Sequence, residues 1–113
     1  MMKFTTKENK GVTIIGLSGN VLGGPDAGAL NNQLRSLLEE EKRKVVIDLA
    51  DVQFINSSGL GMLIGGMTTM KNGGGVMKLA RASKKIRNLL EMTKLATVFE
   101  VHESVPSAVD SFR

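Results

Sequence analysis

Two adjacent hydroxyls, Ser57 and Ser58, sit in the stretch Asp48-Leu49-Ala50-Asp51-Val52-Gln53-Phe54-Ile55-Asn56-Ser57-Ser58-Gly59-Leu60-Gly61. They fall where a loop leaves a β-branched run and enters a helical pattern, the edge at which open α/β sheets collect ligand chemistry. A helix start offers unpaired N–H groups and the positive end of the helix dipole. Gly59 adds no side chain, so a partner can approach closely. A phosphate on Ser57 would be held by those N–H groups and would add ~1.5 to 2 negative charges at neutral pH. Such a site suits a serine that is modified better than a serine that attacks. On spacing alone, an ordinary helix cap with a spare hydroxyl is the stronger reading of Asn56-Ser57-Ser58.

Other chemistry is scarce. The chain has no Cys, Trp or Tyr and a single histidine, His102. Disulfides, cysteine nucleophiles, Cys-ligated metals and multi-histidine metal sites are thereby excluded. The Gly-x-Ser-x-Gly elbow of hydrolases is missing, and His102, near an acidic tail, reads as plain surface. Gly23-Gly24-Pro25 lacks the Lys-Ser/Thr ending of a phosphate-binding loop, which argues against a nucleotide-binding module. Met67 and Met70 read as core filler. No catalytic residue, metal or cofactor is expected.

The net charge of +4 is uneven: Lys71 to Lys94 holds seven basic residues and one acid, Glu91, before a tail with Glu100, Glu103 and Asp110. With no stacking aromatics in the basic stretch, direct nucleic-acid binding is not expected. The stretch reads as the solvated face of a helix and its flanks, or more sharply as a face that meets an acidic protein partner. Residues 52–70 carry no charge, but Gln53, Asn56, Ser57, Ser58, Thr68 and Thr69 interrupt them, so no membrane span is expected. Glu8 and Asn9 precede only a short apolar run, which does not suit a signal peptide, and a cytoplasmic location is expected.

The elements that would position the serines can be read from periodicity. A length of 113 residues and 12.1 kDa predicts one domain, residues 1–113. Phe4–Lys7 and Val12–Leu17 read as strands joined by a turn at Asn9-Lys10-Gly11. A glycine-rich loop from Gly19 to Gly24 then leads to a helix with Pro25 in its first turn and Leu30, Leu34, Leu37 and Leu38 inward. Val45-Val46-Ile47-Asp48-Leu49 reads as a buried parallel strand. An extended loop through Val52, Phe54 and Ile55 reaches a helix starting near Ser57, with Leu60, Leu63, Ile64, Met67 and Met70 as its apolar stripe. Gly61, Gly65 and Gly66 would let that helix pack closely on the sheet. After Gly73-Gly74-Gly75 come a strand Val76–Ala80, a short helix capped by Ser83, a strand Val98–Val101 and a closing helix opened by Ser104. The order β-β-α-β-α-β-α-β-α predicts an α/β fold with an N-terminal hairpin and a mixed, mostly parallel sheet.

The serine stretch resembles that of STAS domains, specifically the small bacterial anti-sigma factor antagonists. In that pattern a strand ends in Asp-Leu, a spacer carries Val and an aromatic, and Asp-Ser-Ser/Thr-Gly-Leu-Gly follows. Here the matching residues are Asp48-Leu49, Val52, Phe54 and Asn56-Ser57-Ser58-Gly59-Leu60-Gly61. The likeness continues through glycines 73–75, Val76 to Ala80, Ile86, Leu89, Leu90, Thr93, Leu95 and Phe99, and it outweighs the cap-only reading. It implies a non-enzymatic binding protein that switches partners. Unphosphorylated, such a protein binds an anti-sigma factor that is also a serine kinase; phosphorylated, it lets go, and a PP2C-type phosphatase resets it. By position the modified serine is Ser57, with Ser58 as the neighbouring hydroxyl. The implied partner-binding residues are Asn20, Asn56, Ser57, Ser58, Gly59, Leu60 and Gly61, in a monomer or weak dimer. The pattern departs at Asn56, which keeps a hydrogen bond to the helix start but not the family's negative charge. It departs also at Gly19-Asn20-Val21-Leu22, where the family has Gly-Glu-(Leu/Ile)-Asp, and at Lys94, where a glycine commonly precedes the leucine. Asn56 motivates the alternative of a non-phosphorylated STAS scaffold in a signalling or transport-associated assembly.

Overall fold

Lys10 and Gly11 both have positive φ, 52° and 78°, the twist that a two-residue hairpin turn requires. They join β1 (Lys3–Asn9) to β2 (Val12–Val21), which pair antiparallel with Asn9 opposite Val12 and Lys3 opposite Ser18. The computed structural model describes residues 2–112, so Met1 and Arg113 of the predicted domain lie outside the described residues. After the hairpin come α1 (Pro25–Glu39), β3 (Lys44–Ile55), α2 (Ser57–Asn72), β4 (Val76–Ala80), α3 (Lys84–Met92), β5 (Val101–His102) and α4 (Val105–Asp110). The sheet runs β1-β2-β3-β4-β5, and every pairing after the hairpin is parallel. This is the mixed, mostly parallel sheet that the order of elements predicted.

Alternation along the strands divides the core in two. Ile15, Leu17, Val45, Ile47, Leu49 and Leu79 belong to the main cluster, with Leu30 and Leu34 of α1, Leu63 and Met70 of α2 and Leu90 of α3. Val12, Val46 and Ala80 form a smaller cluster with Ala108 and Val109 of α4. The unbroken apolar run Val45-Val46-Ile47 is thus explained by burial on both sides of the sheet.

Three expected boundaries move. β2 continues past Leu17 to Val21, and β3 continues past Leu49 to Ile55, because the two extensions pair with each other: Ser18 with Asp51, Gly19 with Val52, Asn20 with Phe54 and Val21 with Ile55. Each supplies the backbone partners that the other would lack as a loop. Gly19, at φ 91°, sits at the register shift between the two halves. The expected glycine-rich loop shrinks to residues 22–24. The last strand is Val101–His102 rather than Val98–Val101. Val98 and Phe99 lie in a turn whose N–H groups donate to the Leu95 carbonyl, and Phe99 plugs the core at 3% exposure.

The basic stretch does not form one face. Lys78 is buried, with its Nζ donating to Ser111 Oγ at 2.7 Å, pairing with Glu100 at 2.8 Å and lying 4.3 Å from the Phe112 ring centre. Arg81 pairs with Asp48 through two hydrogen bonds, and Arg87 donates to the Ala82 carbonyl. Lys71 lies in the last turn of α2, and Lys84 and Lys85 open α3. His102 is also not plain surface. It is half-buried, with Nε2 2.5 Å from Glu100 and Nδ1 3.1 Å from Ser107, tying β5 to α4.

Candidate functional site: the first turn of α2

β3 and α2 are joined by one residue, Asn56, with extended backbone (φ −108°, ψ −176°). Its Oδ1 accepts the Gly59 N–H at 2.7 Å, and its carbonyl accepts the Leu60 N–H at 2.9 Å. Asn56 is therefore the cap, and the serines are not needed for it. Ser57 and Ser58 are exposed residues in the first turn, which contains no acidic side chain. The positive end of the α2 dipole thus faces solvent beside two hydroxyls with no negative side chain of its own turn to offset it.

Close packing fixes where this turn sits. A Cβ on Gly59 would collide with the Val21 carbonyl and would come 2.9 Å from Ile55 Cγ1. Hence the end of β2 lies directly on the first turn of α2, and the Asn56 N–H donates to the Val21 carbonyl at 3.4 Å. Gly23, at φ 81°, is buried, and a Cβ there would lie 2.9 Å from Ser58 Cβ. The short loop after β2 therefore abuts Ser58. Asn20, exposed near the end of β2 and in register with Phe54, lies at the same sheet edge.

Of the expected partner-binding residues, Asn20, Ser57, Ser58 and Gly61 are exposed and Asn56 is half-buried. Leu60 and Gly59 differ from the rest of that set in being buried. Leu60 is 4% exposed because it points into the core, and Gly59 is buried under Val21. They position the turn rather than present a surface. The glycines of α2 also divide differently from expectation. Gly66 meets Leu34 of α1, whereas a Cβ on Gly61 or Gly65 would meet nothing within 4 Å. Gly61 and Gly65 line an open groove of about 700 Å³ between α1 and α2, together with Ser58, Gly28, Asn31 and Thr69. Thr69 Oγ1 donates to Asn31 Oδ1 across it at 2.5 Å.

Sequence reasoning missed the Asp48–Arg81 pair. Asp48 Oδ1 accepts from Arg81 Nε at 2.9 Å and Oδ2 from the guanidinium Nη2 at 2.5 Å. Arg81 has φ 56°, so a non-glycine backbone in the left-handed region is held by a bidentate ion pair between β3 and the end of β4. The Asp that opens the motif thus braces the sheet. Among the described residues no group of three or more His, Asp or Glu could hold a metal ion, and no helix is long and apolar enough to cross a membrane.

Comparison with known proteins agrees with this geometry. The STAS domain family model matches residues 3–108. An anti-sigma F factor antagonist from Paenibacillus polymyxa is 24% identical over 96% of this chain and 92% of its own length. The solved structure of an anti-sigma factor antagonist from Mycobacterium paratuberculosis superposes with TM-score 0.81 at 21% identity, covering 98% of this chain and 93% of that one. SpoIIAA of Bacillus, solved in unphosphorylated and phosphorylated forms, superposes with TM-score 0.73 in each. Its identity is 16% and 17%, over 98% of this chain and 98% and 100% of its own. At these identities the structural likenesses speak for the fold.

Proposed function

The chain belongs to the STAS domain family, and from that premise we propose that it is an anti-sigma factor antagonist controlled by phosphorylation of Ser57. Unphosphorylated, it binds an anti-sigma factor that is also an ATP-dependent serine kinase, and so frees a sigma factor in the cytoplasm. In the kinase complex Ser57 Oγ attacks the γ-phosphorus of ATP and gives its proton to a base of the kinase, as the bond from the γ-phosphorus to ADP breaks and ADP leaves. A PP2C-type phosphatase hydrolyses the ester and restores the binding form. The switch needs no large movement of the fold. A phosphoserine in a close, partly desolvated interface repels acidic groups and is costly to desolvate, so the complex separates.

The observation that carries this reading is the division of labour at the start of α2. Asn56 makes the cap, while Ser57 stays exposed beside uncompensated backbone N–H groups. The relatives named as anti-sigma factor antagonists, and the phosphorylated form of SpoIIAA, support the same role. Incubation with the cognate kinase and ATP, read by intact mass, is expected to add one phosphate to the wild type and none to Ser57→Ala. Equal labelling of Ser57→Ala would move the site, with Ser58 the next candidate.

Asn56 also favours a second reading, a STAS scaffold that is never phosphorylated. Phosphate-free protein recovered from cells with a stable partner lacking kinase activity would select it.

A further inference from the structure

Past the switch, the end of β3 and the length of α3 enclose an apolar groove of about 300 Å³, lined chiefly by Phe54, Ile55, Lys85, Ile86, Leu89 and Met92. Phe54 is 49% exposed and Met92 81% exposed, in a chain with only four aromatic residues. Large apolar side chains left in water around a concave surface mark interaction sites more often than chance surface.

Lys85 lines the groove, Lys84 precedes it in the chain, and neither charge serves the fold. Lys84 and Lys85 occupy the first turn of α3, where the helix dipole is already positive, and no acidic residue shares that turn. Among the described residues neither lysine forms an ion pair. Glu91, the one acid of α3, lines a different cavity with Arg87, Leu90 and Phe99. Two unpaired cations at the end of a helix that disfavours them suit an anionic group supplied from outside.

We propose that this groove docks an acidic amphipathic segment of a partner protein, its apolar side chains entering between Phe54 and Met92 and its aspartates or glutamates meeting Lys84 and Lys85. Complementary charge selects this occupant. A second copy of the chain, presenting the same basic face about a two-fold axis, would set lysines against lysines. Ser57 does not line the groove, and the test below uses the unphosphorylated chain.

The test is a titration of the full ¹⁵N-labelled chain with two synthetic helical peptides of the same apolar pattern, one bearing glutamates at its polar positions and one bearing lysines. The glutamate peptide is expected to shift the amides of Phe54, Lys85, Leu89 and Met92 saturably and to bind at least tenfold more tightly than the lysine peptide. Lys84→Glu/Lys85→Glu is expected to weaken that binding at least tenfold while raising the melting temperature, because it removes cations from the positive end of α3. Lys71→Glu, a charge reversal at the far end of α2, is expected to leave affinity within twofold. Equal binding of the two peptides, shifts mapping elsewhere, or equal weakening by Lys71→Glu would overturn the proposal. Shifts of the same residues on raising protein concentration without peptide would assign the groove to a second copy. The same shifts with vesicles of phosphatidylglycerol and phosphatidylcholine, but not with the peptide, would assign it to a lipid surface.

Discussion

At Asn56 an amide oxygen does what a carboxylate would do in the family pattern: it accepts the Gly59 N–H at 2.7 Å. Losing that bond in Asn56→Ala is expected to cost about 1 kcal/mol, a usual figure for an N-cap. Asn56→Asp keeps the acceptor and adds a negative charge at the positive end of α2, for an expected gain of ~0.3–1 kcal/mol. Urea unfolding of both variants checks this, and equal destabilisation by Ala and Asp would mean that the cap does not depend on that oxygen. Lys94 is the other residue where the family pattern is informative. It has φ 61°, the left-handed backbone that glycine adopts without strain. The departure there changes a local turn and leaves the serine site untouched.

Within α2, glycine serves two purposes that composition cannot separate. Gly59→Ala drives a methyl into the Val21 carbonyl, and the expected cost is about 3 kcal/mol, the upper end of ordinary overpacking. Gly61→Ala and Gly65→Ala meet open space and are expected to stabilise by up to ~1 kcal/mol each through helix propensity. Thermal melts of the three variants decide the matter; destabilisation by all three would contradict the packing described for the turn. This is also where the sequence stopped being legible. Periodicity located the start of α2 at Ser57, the strand Val76–Ala80 and the Ser83 cap, because each rests on local signals. It placed the ends of β2 and β3 too early, since Ser18 to Val21 and Asp51 to Ile55 are strand only by pairing with each other. It placed β5 on Val98 and Phe99, whose apolar side chains proved to be one exposed residue and one core plug. Of the candidate site, Ser57, Ser58 and Asn56 were readable from the motif, and the apolar stripe already turned Leu60 inward, but the open groove beside Gly61 was not readable. It depends on which side of α2 meets α1.

Across the whole molecule the two sides of the sheet differ. α1, α2 and α3 contribute to the large core, while α4 covers a smaller one and is held by polar contacts around Lys78. Hydrogen bonds from Lys78 and then His102 hold the Glu100 carboxyl at about 2, below its ordinary 4.5. A carboxylate depressed in this way stabilises the fold fully above about pH 4.5 and loses that contribution as pH falls toward 2. Glu100 is half exposed, so solvent screens the effect and keeps it modest. Glu100→Gln is expected to flatten the fall in melting temperature between about pH 5 and 3; parallel curves for wild type and variant would remove Glu100 as its source. None of this touches the serine turn, whose proposed role is to be bound, modified and released while the sheet stays fixed. The direct test of that role is calorimetric binding of the cognate anti-sigma factor kinase to the unphosphorylated chain, to the chain carrying phosphate on Ser57, and to Ser57→Asp. The expected result is a tight complex with the unphosphorylated form and at least a tenfold loss with the other two, whereas equal affinity for all three would contradict phosphorylation-controlled release.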